Sequence, residues 1–252
     1  MREIQVHLLP KLTTPEELAG GNVVVIDVLR ATSTIVTALA NGAAAVIPCL
    51  EIDEAQRIAA GLERGSALLG GERGGLLIDG FDLANSPQEY TAERVRGRTI
   101  VFTTTNGTRA VQQCRLARRV WFGAFVNLSA LCEAAANDDA PLHLLCAGTQ
   151  DRITREDALL AGTVAARLTA SPVEVSVNDE GALVAAAWRD LERSLGGGRV
   201  TAAALAQTLR ASRGGRNSVA TGNHADIAAA AVIDACPVVP ELDATTGRIV
   251  LR

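Results

Sequence analysis

Lysine is almost missing from this chain. Lys11 is the only one, so nearly all of the positive charge is arginine. With 24 basic against 28 acidic residues the net charge is −4, which leaves no broad positive field for a nucleic acid backbone. Any anion must be met by a local arginine cluster. Aromatic residues make up only 3% of the chain, so the helices must pack closely on small side chains. The five cysteines, Cys49, Cys114, Cys132, Cys146 and Cys236, are odd in number and form no C-x-x-C pair. That argues against a thiolate zinc cage and predicts reduced, mostly buried thiols. His7, His143 and His224 share no metal-ligand spacing. No apolar run reaches the ~18 residues of a membrane span, and residues 1–6 read as a strand with no signal-peptide core. A cytoplasmic protein that engages neither membrane nor nucleic acid is expected. The glycine-rich dinucleotide fingerprint, the Walker loop and the G-x-S-x-G elbow are all missing.

What is present is a regular alternation. The chain is 48% hydrophobic, enough to bury a sizeable core. Short β-branched runs predict strands at 4–9, 23–28, 45–47, 67–69, 98–103, 120–122 and 142–146, an edge strand at 173–175, and closing strands at 238–239 and 249–251. Stretches of helical period fall between them, among them 52–64, 158–168, 201–211 and 224–236. Such alternation predicts an α/β fold of three layers, a largely parallel sheet with helices on both faces. Residues 1–252 read as one such domain, with related lobes at 1–140 and 141–252 as the alternative. Alanine-rich helix faces suit subunit pairing, so a homodimer is expected.

One stretch organises the rest. Val23-Val24-Val25-Ile26 reads as a strand buried on both faces. It runs into Asp27, Arg30 and the hydroxyls Thr32, Ser33 and Thr34. Asp27 and Arg30 should therefore stand at the carboxyl end of a central strand, with Thr32 or Ser33 capping the next helix. In open α/β sheets, ligands bind beyond those strand ends. Three more strand-to-helix turns repeat the pattern. Glu72 and Arg73 begin a long glycine-rich loop that ends Asn85-Ser86-Pro87, with Pro87 in a first helical turn and Ser86 or Asn85 as its cap. Thr103-Thr104-Thr105-Asn106-Gly107-Thr108 is dense in hydroxyls, and residues 148–157 end in Glu156-Asp157. All four turns are expected to open on one edge of the sheet.

The residue types in these turns suit a metal and an anion together. Asp27, Glu72 and Asp157 are hard oxygen donors of the kind Mg²⁺ takes. Glu156 and Asp157 equally suit a helix start, and Asp79 and Asp82 suit loop formation. Arg30 and Arg73 match phosphate or sulfonate oxygens with their planar forks, and Thr104, Asn106 and Thr108 offer a cradle for the same group. Arg213 and Arg216, around Gly214-Gly215, read either as a second anion clamp or as a solvated loop.

Taken in order, Ile26-Asp27-Val28-Leu29-Arg30-Ala31-Thr32-Ser33-Thr34, Gly71-Glu72-Arg73-Gly74-Gly75, Gly80-Phe81-Asp82-Leu83-Ala84-Asn85-Ser86-Pro87, Thr103-Thr104-Thr105-Asn106-Gly107-Thr108 and Cys146-Ala147-Gly148-Thr149 with Glu156-Asp157 resemble the motifs of the 2-phosphosulfolactate phosphatases. The likeness spans roughly residues 4–242. It implies an α/β, Mg²⁺-dependent phosphatase acting on a small anionic phosphorylated substrate, converting 2-phospho-3-sulfolactate to 3-sulfolactate and phosphate, a step associated with coenzyme M synthesis. Read together with the residues, it places Asp27, Arg30 and Glu72 in catalysis and Asp27, Glu72 and Asp157 on the metal. Arg30, Arg73, Asn85, Ser86, Thr104, Asn106 and Thr108 are placed on the substrate.

Other chemistries fit parts of the pattern. Asp27 could be a nucleophile that forms an aspartyl-phosphate, but the Asp-x-Asp of haloacid-dehalogenase phosphatases needs an acid where Leu29 stands. A cysteine hydrolase resembling isochorismatases would pair Asp27 with a lysine and Cys146, yet Lys11 lies outside any strand-end turn. A phosphatase of another small 2-phospho acid, or a non-catalytic anion-binding module, needs the same arginines.

Overall fold

The computed structural model describes residues 2–170, 175–198 and 200–252. Its strands are β1 (Arg2–His7), β2 (Asn22–Ile26), β3 (Ala45–Cys49), β4 (Ala67–Gly71), β5 (Thr99–Thr103), β6 (Arg119–Gly123), β7 (Leu142–Cys146), β8 (Val175–Val177), β9 (Pro240–Asp243) and β10 (Arg248–Leu251). They form one mixed sheet in the order β4-β5-β3-β10-β9-β6-β2-β7-β1-β8. The helices are α1 (Ala31–Ala40), α2 (Ile52–Gly61), α3 (Ala92–Val95), α4 (Gly107–Gln113), α5 (Leu128–Ala136), α6 (Arg155–Thr169), α7 (Asp179–Ser194), α8 (Ala202–Arg210), α9 (Arg213–Ala220) and α10 (His224–Ala230). This is the α/β layering that the alternation predicts. Among the described residues no helix is long and apolar enough to cross a membrane.

The β2 strand shows why the layers form. All five of its residues are buried, and successive side chains point to opposite faces of the sheet. Val24 and Ile26 enter a core shared with Leu144 of β7 and with Leu160 and Val164 of α6. Val23 and Val25 enter a second core, with Phe122 of β6 and Ile35 and Leu39 of α1. Each such aliphatic side chain withdrawn from water contributes about 1.5–3 kcal/mol, so the run Val23-Val24-Val25-Ile26 is held between two helical layers.

The sheet is parallel within two blocks. Strands β4, β5 and β3 form one, and β6, β2, β7, β1 and β8 the other. Between them lie β10 and β9, antiparallel to each other and to the block strands they touch. Three antiparallel steps reverse the direction, so the blocks run in opposite senses. A flat sheet would put their carboxyl ends at opposite edges. Instead Val46, Ile100 and Phe102 of one block share a core with Val23, Val25 and Phe122 of the other. Both blocks thus pack on one core, and Glu72 and Thr105, beyond β4 and β5, line the same cavity as Asp27, beyond β2.

Several local expectations need correction. The helix expected over 224–236 stops at Ala230, and the strand expected at 238–239 begins at Pro240. Residues 213–220, read as a clamp or a solvated loop, are helix α9, with Gly214 and Gly215 buried in its first turn. Val173 and Glu174 of the expected edge strand lie outside the described residues, and β8 starts at Val175.

Candidate active site

The end of β2 is fixed by its own hydroxyl residues. The Asp27 backbone N–H donates to Thr32 Oγ1 (3.1 Å), and that hydroxyl donates to the Asp27 carbonyl (2.9 Å). Ser33 donates to the Val28 carbonyl (2.8 Å). Neither residue caps α1, whose N-cap is Arg30 with no side-chain bond. The hydroxyls clamp the turn rather than the helix, because Asp27 already supplies an acceptor to the Ala31 N–H (3.3 Å). The Leu29–Arg30 peptide is cis.

Beyond this turn lies a cavity of about 220 Å³, lined among others by Asp27, Arg30, Glu72, Asn85, Thr105 and Asn106. Glu72 is buried, and both its oxygens are oriented by backbone donors: Oε2 by Gly75 N–H (2.6 Å) and Oε1 by Thr105 N–H (2.8 Å). Two glycines make this approach possible. Gly71 has φ +139°, and a Cβ there would lie 1.9 Å from the Thr103 carbonyl oxygen. A Cβ on Gly107 would lie 2.8 Å from Ala31 Cβ and 3.1 Å from Asp27 Oδ2.

Arg30 is 6% exposed and is held on two sides. One nitrogen of its fork donates to Asp226 Oδ2 (2.8 Å) and another to the Gly75 carbonyl (3.0 Å). Asp226, on α10, also accepts from Ser86 Oγ (2.6 Å) and Gln88 (3.3 Å). Ser86 is thus occupied by Asp226 and does not cap the 3-10 turn Pro87–Glu89. Asp226 is the functional-site residue that sequence reasoning missed. Nothing around it in the sequence marks it, because its partners Arg30 and Ser86 lie 196 and 140 positions away.

Asp27 is 6% exposed, and its carboxyl is pushed up to about 7. Burial is the main cause, and the nearby charges of Glu72 and Glu156 act the same way, while the Ala31 N–H and Arg30 pull it down. Glu156 is buried and accepts from the Gly214 N–H (2.9 Å), with Oε2 unpartnered. Burial raises its pKa also. Two further polar atoms without partners belong to cavity-lining residues, Asn85 Oδ1 and Thr105 Oγ1.

Not every expected residue reaches this cavity. Asp157, at the start of α6, uses both carboxylate oxygens on protein donors: Val28 N–H (2.8 Å), Gly148 N–H (3.0 Å) and Thr154 Oγ1 (3.0 Å). Among the described residues no group of three or more His, Cys, Asp or Glu side chains is arranged to hold a metal ion. The expected trio of Asp27, Glu72 and Asp157 therefore does not form one cluster of ligands. Arg73 turns away from the cavity. Its fork binds the carbonyls of Leu50 (2.6 Å) and Glu72 (2.9 Å) and the Thr103 hydroxyl (2.9 Å). Thr108 is buried and donates to the Thr104 carbonyl (2.7 Å). Asn106 lines the cavity, where its Oδ1 accepts from Gln150 N–H (3.1 Å). Asp79 is exposed, and Asp82 holds the loop by accepting from Leu69 N–H (2.8 Å). All five cysteines are free. Cys146 is packed in a core, and burial holds its thiol well above the usual range, which removes the cysteine-hydrolase reading.

Comparison with known proteins identifies the family. A family model described as 2-phosphosulpholactate phosphatase matches residues 7–245. A probable 2-phosphosulfolactate phosphatase of Symbiobacterium thermophilum is 42% identical over 236 residues, 94% of this chain and 96% of the relative. Proteins of the same description from Caldanaerobacter subterraneus and Thermotoga petrophila are 46% and 50% identical over 152 and 145 residues, covering 60% and 58% of this chain and 63% and 61% of the relatives. The match covers nearly the whole chain, and the turns that build the cavity lie inside it. The chain therefore belongs to the 2-phosphosulfolactate phosphatase family, a family of phosphoric monoester hydrolases.

Proposed function

We propose that this protein hydrolyses 2-phospho-3-sulfolactate to 3-sulfolactate and phosphate, with Mg²⁺ in the cavity between Asp27 and Glu72. One observation carries the reading. Two buried carboxylates from separate strand ends face a single cavity of about 220 Å³, beside an arginine whose charge is already matched by Asp226. Such a cavity repels a substrate that bears phosphate, sulfonate and carboxylate groups unless a cation enters with it. Mg²⁺ suits the donor set, since it takes one or two carboxylates plus waters and substrate phosphate rather than a full protein cage. When bound it would offset charge on the transferring phosphoryl group.

The chain's own residues do the positioning. Gly75 and Thr105 N–H groups aim the Glu72 carboxylate. Asp226 and Gly75 hold Arg30 at the cavity wall, where it orients the ester by hydrogen bonding. The unpartnered Thr105 hydroxyl donates to a substrate oxygen, while Asn85 Oδ1 accepts from a water entering the cavity. The small volume selects a short acid over a nucleotide or a phosphoprotein. Cytoplasmic location and a homodimer remain part of this proposal.

The test is phosphate release measured over a set of small phosphorylated acids, with and without Mg²⁺ and after chelation. The reading expects 2-phospho-3-sulfolactate to be turned over fastest and release to stop on chelation. Turnover that survives chelation would remove the metal, and no release from any 2-phospho acid would remove the activity.

A further inference from the structure

The loop that begins at Glu72 has two sides. Glu72 faces the cavity, and the next residue, Arg73, faces a separate groove of about 830 Å³. The same wall continues through Thr104 and Thr105, which also line the groove, and across it stand Arg109 and Arg115. Three guanidinium groups thus meet one carboxylate, that of Glu51. The cavity has the opposite composition, with Asp27 and Glu72 against Arg30.

Among the described residues none of the groove's arginines has a buried ion pair. Arg73 is pinned by two carbonyls and a hydroxyl, and none of its contacts is a carboxylate. It is therefore an immobile cation whose charge is not neutralised where it sits. Arg109 is exposed, and no ion pair of its side chain occurs among the described residues. Arg115 pairs with Glu16 at 3.2 Å, but both side chains are more than half exposed, and such pairs contribute little and exchange readily. Thr104 is 3% exposed, and its hydroxyl has no partner; the Thr105 hydroxyl is likewise unpartnered. In a chain of net charge −4, a concave site where arginine outnumbers carboxylate is a local exception.

We propose that this groove is a second oxyanion site, taking a small phosphate- or sulfonate-bearing anion outside the cavity in which hydrolysis takes place. The exposed guanidinium forks of Arg109 and Arg115 would hold the oxygens, and Arg73, most of whose donors are taken by the protein, would add positive charge from the groove wall. The inference does not depend on the hydrolytic reading, because it rests on the outer side of the wall alone.

Equilibrium dialysis of the full chain against labelled inorganic phosphate tests it, with the Arg109→Gln/Arg115→Gln variant alongside. Both side chains are exposed, so the fold should persist, and circular dichroism checks that it does. The expected result is a phosphate equivalent that weakens about tenfold or more in the double variant, an effect of the size expected for losing charge-assisted contacts. That equivalent should survive Arg30→Gln in the cavity. Amide resonances of Thr104 and Thr105 should move in the same titration. Displacement by methanesulfonate would extend the site to sulfonates, and failure to displace would restrict it to phosphate. Binding that is unchanged in the double variant, or that vanishes only with Arg30→Gln, overturns the inference. Turnover measured on the same proteins keeps the two readings apart. An inactive protein with intact groove binding sinks the hydrolytic reading alone, and an active one without it sinks the groove alone.

Discussion

Asp27 and Asp157 invite direct comparison. Both are buried acids beyond the carboxyl ends of adjacent strands, β2 and β7, and burial raises the pKa of both. They differ in what their oxygens do. Asp157 accepts from three protein donors and locks β2 to the Gly148 turn and the start of α6. Asp27 accepts only a long bond from Ala31 and opens onto the cavity. A carboxylate satisfied by the fold belongs to the architecture, and one left under-satisfied at a cavity is available for chemistry. The burial of the two is nearly the same, so burial alone would not separate them.

The widest separation should come from Asp157→Ala. It strands three donors, each costing about 1–3 kcal/mol, so stability should fall by roughly 4–6 kcal/mol in chemical denaturation. Turnover per folded molecule should change far less. Asp226→Ala comes next. Removing one partner of a buried ion pair leaves Arg30 uncompensated, a loss of about 3–5 kcal/mol, and Asp226→Asn should recover only a small part of it, because the amide keeps the shape but loses the charge and turns an NH2 donor toward Arg30 or Ser86. If Asp226→Ala denatures like the parent, Arg30 has another partner and the account of its placement fails.

Asp27→Asn should do the reverse of Asp157→Ala. Turnover should drop about 10²–10³-fold, roughly 3–4 kcal/mol of barrier, while the fold is kept. The pH dependence gives the sign. The folded-state pKa of Asp27 is about 7 against an ordinary value near 3.8, so the metal-free protein holds a proton there that the unfolded chain has lost. That contribution is full below the unfolded value and is lost as pH rises through 7. The variant should therefore gain stability relative to the parent as pH rises across that window. Denaturation midpoints that stay parallel from pH 4 to pH 8 would contradict the shift.

The smallest effect concerns a buried polar pair outside the cavity lining. His143 and His7 lie 3.0 Å apart, nitrogen to nitrogen, with stacked rings. Burial, with the neighbouring His7 acting the same way, lowers the His143 pKa to about 4. The folded protein thus resists a proton that the unfolded chain takes from about pH 6.5 downward. Stability should be full above that value and lost as pH falls toward 4, and His143→Gln should flatten this acid limb in thermal melts without altering turnover.

Much of this was legible beforehand. A run with no polar residue, Val23-Val24-Val25-Ile26, can only be central, and the strand-to-helix turns after it follow from period and glycine placement. That Asp27, Glu72 and Arg30 share one cavity was readable because each stands where a strand gives way to a turn. Other features were not readable for physical reasons. A hydroxyl near a helix start caps only when no better acceptor lies nearby, so Thr32, Ser33 and Ser86 took other partners. Gly214 and Gly215 read as a loop because glycine disfavours helix, yet both lie in α9, where Gly214 packs against Glu156 and Gly215 against the Leu209 and Arg210 backbone, leaving no room for a side chain.

The sequence by itself determined the order of strands and helices, the hydrophobic layers, the scarcity of lysine that leaves arginine to carry the positive charge, and which acids stand at strand ends. Local spacing suffices for these, because backbone period and side-chain type act over a few residues. Only the tertiary structure decided that two oppositely directed blocks fold over a common core, that Glu72 and Arg73 face different spaces, and that Asp226 neutralises Arg30 across 196 positions. Those outcomes depend on how distant surfaces meet, and the geometry of that meeting is carried by packing and charge pairing, not by any one stretch of chain.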